Sequence, residues 1–252
     1  MLLCPLNVSE GRSQEILGRL TGAAGRDLLD LHTDPWHHRS VLWLAGEDAP
    51  RRVAAAAVDL LDLRRHQGVH PRLGAADVVP FVGEGAEEAR DAFAAWAWSA
   101  LRLPTVRYGD DVGWSLPEVR RFRGRTRHVH PTAGLTAVGA RGPLVAFNVW
   151  LVEPDLALAV RVAAAVRSPA VRALGLPVGD RVQVSMNLVD PLAVGPAAAH
   201  DAVAALAATA GAELVGLVPD AVLRAVPEDR WEALGLGPDR TVEARLRARG
   251  LV

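Results

Sequence analysis

"LVAFNVWL", residues 144–151, followed closely by "DLALAVRVAAAVRS", residues 155–168, is the stretch on which the fold turns. The first run is continuous, β-branched and aromatic, as a buried strand should be, and the second repeats its apolar residues at helical spacing. Reading on, "VRALGL" (171–176) and "RVQVSMNLVD" (181–190) are strands, "AAAHDAVAALAATAG" (197–211) is a helix and "ELVGLV" (213–218) a last strand. That order, βαββαβ, predicts an α/β (α+β) subdomain of the ferredoxin-like type, a mixed β-sheet with helices packed on one face.

Working back toward the N-terminus, the same alternation holds. "LLCPLNV" (2–8), "DLLDLHT" (27–33), "RSVLWLAG" (39–46), "DVVPFV" (77–82) and "TVRYG" (105–109) read as strands. "RSQEILGRLTGAAG" (12–25), "RRVAAAAVDLLDL" (51–63) and "AEEARDAFAAWAWSALR" (86–102) read as helices, with Asp48 and Pro50 placed as cap and first turn of the second. Ser115 and Glu118 have capping-box spacing, so "SLPEVRR" (115–121) predicts a short helix ending near Gly124. Gly142 and Pro143 mark the expected boundary, giving subdomains 1–142 and 143–252 with a ligand channel between them.

Composition removes several chemistries. The chain has 252 residues, half of them hydrophobic, and a formal net charge of −1, which provides no overall field for nucleic acid or an anionic membrane. All of its 28 positive side chains are arginine. Without a lysine it has no Schiff-base site for pyridoxal phosphate, no P-loop and no kinase strand lysine. Cys4 is the single cysteine, so no disulfide within the chain and no thiolate zinc cage is expected, and a reducing cytoplasmic setting fits. The opening "MLLCPLNVSEGR" reads as neither an export signal nor a membrane anchor.

Polar chemistry gathers toward the N-terminal side, where seven of the eight histidines lie at or before His130. "HQGVHPRLGAAD" (66–77) places His66, His70, Arg72 and Asp77 around two glycines and a proline. Gly68 and Pro71 argue against a helix, so the four-residue spacing of the histidines does not by itself make a metal site. Surface loop, catalytic loop and metal ligation all remain open on spacing alone. His37, His38 and Arg39 form a second knot, and His128 with His130 a third. The three can converge on a metal, with Asp34 or Asp77 as carboxylate, or His37 and His38 can merely close a turn after Asp34 and Pro35. "RRFRGRTR" (120–127) reads first as solvated arginines at a helix C-terminus, and second as a small-polyanion site. "SEGR" (9–12) says little alone.

Taken in order, "CPLNVSEGR", "HHRSV", "DLRRHQGVHPRLGAADVVPF", "HPTAGLTAVGAR", "AFNVWL", "QVSMNL" and "VGLVPDAVL" resemble the formiminotransferase domain of the glutamate formimidoyltransferase family. The resemblance runs from Cys4 to about "VEARL" (242–246), and "HQGxHPRxGAxDVxPF" is its most specific part. It implies two α/β subdomains, a homodimer, and tetrahydrofolate bound as co-substrate in a channel between the subdomains, with no metal. The implied reaction moves a formimidoyl group from N-formimidoyl-L-glutamate to N5 of tetrahydrofolate during histidine breakdown. His70 takes the place of the family's catalytic base, a task suited to a side chain whose ordinary pKa is about 6.5. The substrate- and folate-binding residues implied are Asn7 and His32, with His130, Pro131, Thr132 and Gly134 in the folate-contacting stretch. Arginine chemistry adds Arg39 or Arg72 as holder of a substrate carboxylate.

The family pattern is broken at three positions. His32 stands for an aspartate near the active site, Val69 for the glutamate beside the catalytic histidine, and His38 for an asparagine. The stretch before His130 is also shorter. These departures keep open a divergent homologue that binds folate or acts on another formimidoyl or acyl donor.

Overall fold

The computed structural model of the chain describes residues 1–68, 70–122 and 129–252, Phe122 by its backbone alone. Val69 and His128, and the segment 123–127 of the arginine run, lie outside the described residues. Two compact units result, Met1–Gly142 and Pro143–Val252.

In the first unit the chain runs β1 (Leu3–Val8), α1 (Gln14–Ala24), β2 (Leu28–Asp34), β3 (Arg39–Ala45), α2 (Asp48–Leu60), β4 (Ala76–Phe81), α3 (Ala86–Leu101), β5 (Thr105–Tyr108), α4 (Leu116–Phe122) and β6 (Thr136–Ala140). The sheet order is β2-β3-β1-β4-β6-β5. Its first four strands are an antiparallel ferredoxin-like set, and β6 and β5 extend it in parallel, making this sheet mixed. Alternation along the strands separates two faces. Cys4, Leu6, Leu42, Leu44, Val79, Phe81 and Val138 join Leu20, Val53 and Phe93 in one core under α1, α2 and α3. Val78, Ala137 and Tyr108 pack on the other face against Val119 of α4. Helices therefore cover part of both faces here, because β4 and β6 are central strands buried on each side.

Local sequence accounts for most ends. Ser13 caps α1 by accepting the Ile16 N–H at 3.2 Å. Glu118 returns to the Ser115 N–H at 2.8 Å, the reciprocal half of a capping box, and α4 starts there. At α2 the expectation shifts by one residue: Glu47 occupies the cap position without a side-chain bond, and Asp48 is the first helical residue. That helix stops at Leu60 rather than Leu63, since the Leu63 N–H is taken by the Thr132 carbonyl at 2.8 Å. β6 goes unread at the level of sequence, because its five residues are all buried and show no polar alternation.

The second unit runs β7 (Val145–Leu151), α5 (Leu156–Ala165), β8 (Val171–Val178), β9 (Arg181–Leu188), α6 (Pro196–Ala204), β10 (Thr209–Val215), α7 (Asp220–Arg224) and α8 (Val242–Ala248). Its order, β10-β7-β9-β8, realises the expected βαββαβ chain. Every neighbouring pair is antiparallel, because the α5 crossover leaves a gap between β7 and β8 that β9 fills. β10 begins at Thr209, so the "TAG" expected to end the helix opens the strand instead, at a register shift. Among the described residues no helix is long and apolar enough to cross a membrane.

α5 lies close on β8 at Gly175, where an added Cβ would meet the backbone of Val160 and approach the Ala159 carbonyl carbon to 2.5 Å. Helix backbone cannot yield as a side chain can. Gly175→Ala is therefore expected to destabilise the chain by about 3 kcal/mol, and thermal unfolding should show a Tm lowered by roughly 5 °C or more.

Candidate active site

Asp77 opens the site. It follows Ala76 at the start of β4, where pairing with β1 slips: Asn7 faces Val78 but Val8 faces Ala76. Asp77 is the extra residue of that bulge, a device that redirects a side chain. Its carboxylate is fully buried. One oxygen accepts the N–H groups of Leu73 and Gly74, and the other is paired with Arg39 Nη1 and stands 3.6 Å from Arg120 Nη2. Burial opposes ionisation, but Arg39, Arg120 and the backbone donors outweigh it and hold the carboxyl below its ordinary range.

Arg39 begins β3. Its Nε and Nη2 donate to Asn7 Oδ1 at 3.1 and 2.8 Å, so Asn7 and Asp77 fix the guanidinium from two strands. His32 shares this face, since it pairs with Val41, which pairs with Asn7. Arg72 is placed differently. Its Nη2 donates to the carbonyls of Gly68 and His70, the latter at 3.0 Å, so it braces the loop.

His70 sits on that braced loop. Its Nδ1 meets the Pro71 carbonyl at 2.7 Å; with Nδ1 as donor, Nε2 keeps its lone pair. Burial first, and then the charges of Arg39 and Arg120, push its pKa down to about 2 against a weaker pull from Asp77, so the resting imidazole is neutral. His37 lies beside it, ring centroids 5.9 Å apart and nearly perpendicular. Its Nδ1 donates to Asp34 Oδ2 at 2.7 Å, while Asp34 Oδ1 accepts the N–H groups of Trp36 and His37, both at 2.8 Å. The turn is thus closed by Asp34 and not by the histidines.

The other two histidines of these knots form a separate pair. His38 and His66 stack at 4.1 Å; Gly11 N–H donates to His38 Nδ1 at 3.1 Å, and His66 Nε2 meets the His38 carbonyl at 3.1 Å. Burial, with Arg72 nearby, brings His66 to about pH 4 and lowers His38 too. Gly68 makes the fit possible, for a Cβ there would come to 2.7 Å from the His37 carbonyl. Glu10 of "SEGR", buried, accepts the N–H groups of Gly11, Arg12 and Ser13 at 2.7–3.0 Å and anchors the loop beside this pair.

The stretch from His130 to Gly134 is a turn tied to the same loop. His130 Nδ1 accepts the Ala133 N–H at 3.1 Å, Ala133 receives the Ala75 N–H and Leu135 donates to the Leu73 carbonyl. Thr132 gives its carbonyl to Leu63, and Pro131 lies in the turn. Gly134 has φ +74°, and a Cβ would meet the Leu73 carbonyl at 2.5 Å, so its room is used by the chain itself. The first two knots converge around His70; among the described residues no group of three His, Cys, Asp or Glu side chains is arranged to hold a metal. Arg120, read in the sequence only within a run of solvated arginines or a small-polyanion site, is a functional candidate in its own right. Its Nε is buried without a hydrogen-bond partner among the described residues.

Comparison with known proteins follows this geometry. Residues 1–125 match the family model of the formiminotransferase domain, N-terminal subdomain. A glutamate formimidoyltransferase of Streptococcus pyogenes serotype M1 is 35% identical over 229 positions, covering 74% of this chain and 77% of that one. One from Thermoplasma acidophilum is 28% identical with 96% of each chain covered. The formimidoyltransferase-cyclodeaminase of Sus scrofa is 29% identical, and the match spans half of its length.

Because Asp77 is the buried counter-charge to two arginines, Asp77→Asn is expected to cost about 3–5 kcal/mol at pH 7. Its folded pKa is lowered, so the stability it contributes is present above the unfolded value near 3.9 and is lost as pH falls through the folded value. Urea unfolding of both proteins should show the difference at pH 7 shrinking below about pH 4.

Proposed function

The chain belongs to the glutamate formimidoyltransferase family, and from that premise we propose that it is a transferase moving a formimidoyl group from N-formimidoyl-L-glutamate to N5 of tetrahydrofolate. Glutamate is released, a step of histidine degradation and one-carbon metabolism. The single observation that carries the reading is the setting of His70: a neutral imidazole anchored through Nδ1, beside two guanidiniums that share one carboxylate.

Each part has a task. His70 Nε2 accepts the proton that N5 loses as the new N–C bond forms. Two arginines against one carboxylate favour an anionic ligand, and the donor is one. Arg39 has committed its donors to Asn7 and Asp77, and Arg72 its own to loop carbonyls, so the donor carboxylate is assigned to Arg120 with Arg39 behind it. A carboxylate bound there offsets the positive field that depresses His70 and makes it a better base. Tetrahydrofolate, as co-substrate, is assigned to the turn from His130 to Gly134; assembly as a cytoplasmic homodimer belongs to the same reading.

A second reading, transfer from another formimidoyl or acyl donor, is favoured by His32, where the family pattern has an acid.

Purified protein supplied with both substrates is expected to form 5-formimidoyltetrahydrofolate and glutamate. His70→Gln should lower kcat by roughly 10²–10⁴-fold with its unfolding unchanged. Arg120→Gln should raise KM for the donor by about tenfold, as loss of a charged hydrogen bond does. No transfer from folded wild type would move the assignment to the second reading.

A further inference from the structure

Formimidoyl transfer needs two proton movements, one away from N5 and one onto the departing glutamate nitrogen. The structure holds two imidazoles where one base was expected. His37 is buried, at 8% exposure, and its Nδ1 is fixed on Asp34 at 2.7 Å. Asp34 is itself fixed, since its other oxygen receives two backbone N–H groups. His37 Nε2 is buried with no hydrogen-bond partner among the described residues. An orphaned buried nitrogen is costly, and an apolar ring would fill the same space without that cost, so the nitrogen calls for a partner that arrives. The candidate is substrate, because the ring adjoins that of His70 at 5.9 Å.

The two histidines also sit in electrostatic settings of opposite sign. His37 is paired with a carboxylate, and His70 is flanked by Arg39 and Arg120.

We propose that His37, held by Asp34, is the general acid of the transfer, its Nε2–H protonating the glutamate nitrogen while His70 takes the proton from N5. The inference rests on the transfer reading above. In balance, the N5 lone pair bonds the amidinium carbon and the C=N π pair settles on the terminal nitrogen, which becomes an amine. His70 accepts the N5 proton. The C–N bond to glutamate then breaks, its pair staying on that nitrogen, which takes the proton from His37. The terminal nitrogen restores the C=N bond, so an amidinium enters and an amidinium leaves. Return of the proton from His70 to His37 resets the pair.

The test compares wild type with His37→Gln, His37→Phe and Asp34→Asn in the transfer assay, across pH. His37→Phe keeps a ring of similar size against His70, and Asn at 34 can still accept the turn's N–H groups. With all three folded, both His37 variants are expected to lose about 10²-fold or more in kcat with KM within about twofold, and Asp34→Asn about tenfold. The fall in wild-type kcat at high pH, where the acid has lost its proton, should vanish in His37→Gln. A folded His37→Phe with wild-type kcat, or a His37→Gln profile that keeps its alkaline limb, would overturn the assignment while leaving the transfer reading intact. An inactive wild type would remove both.

Discussion

The buried carboxylate of Asp77 is the constraint from which the rest of the site is arranged. A fully buried charge survives only if it is paired and hydrogen-bonded. Asp77 meets that demand with the N–H groups of Leu73 and Gly74, with Arg39, and with Arg120 nearby. Each partner comes from a different part of the chain: the loop after His70, the start of β3, and α4. One group therefore sets the distance between the loop that holds His70 and the arginines that polarise it. The bulge in β4 puts the carboxylate there.

Around it, loops hold loops. Arg72 ties down the carbonyls of Gly68 and His70, Asp34 closes the turn carrying His37, and Glu10 closes the turn before α1. In each case a side chain satisfies backbone groups that no strand or helix provides for. The His38–His66 stack joins two of these turns at the place where Gly68 lacks a side chain. Imidazoles used for packing and imidazoles offered to a ligand thus lie side by side, and hydrogen bonding separates them.

The sequence-legible part was set by local rules. Strand and helix order apart from β6, the capping box at Ser115 and the family follow from periodicity, cap chemistry and an ordered set of motifs. What stayed hidden depends on pairing between distant segments. The bulge that turns Asp77 inward exists only once β1 and β4 are in register. Arg120 looks like any arginine in the last turn of a helix, where a solvated charge complements the dipole. Only the sheet face beneath α4 shows that it points at a buried carboxylate. The orphaned nitrogen of His37 was equally invisible, because spacing says nothing about which atoms lack partners.

Charge bookkeeping ties these pieces to the proposed chemistry. The chain as a whole is nearly neutral, yet around His70 two guanidiniums stand against one carboxylate in a buried setting, where charges interact far more strongly than in water. In the free protein burial, and with it that excess, keeps His70 unprotonated but also makes it a feeble base. In the proposed complex, one of the donor's carboxylates on Arg120 would cancel part of the excess and make His70 a stronger base as the reacting groups come together. His37, paired with Asp34, draws its counter-charge from within the protein and does not wait for substrate. Two imidazoles 5.9 Å apart thereby meet opposite neighbouring charges, a carboxylate for His37 and guanidiniums for His70.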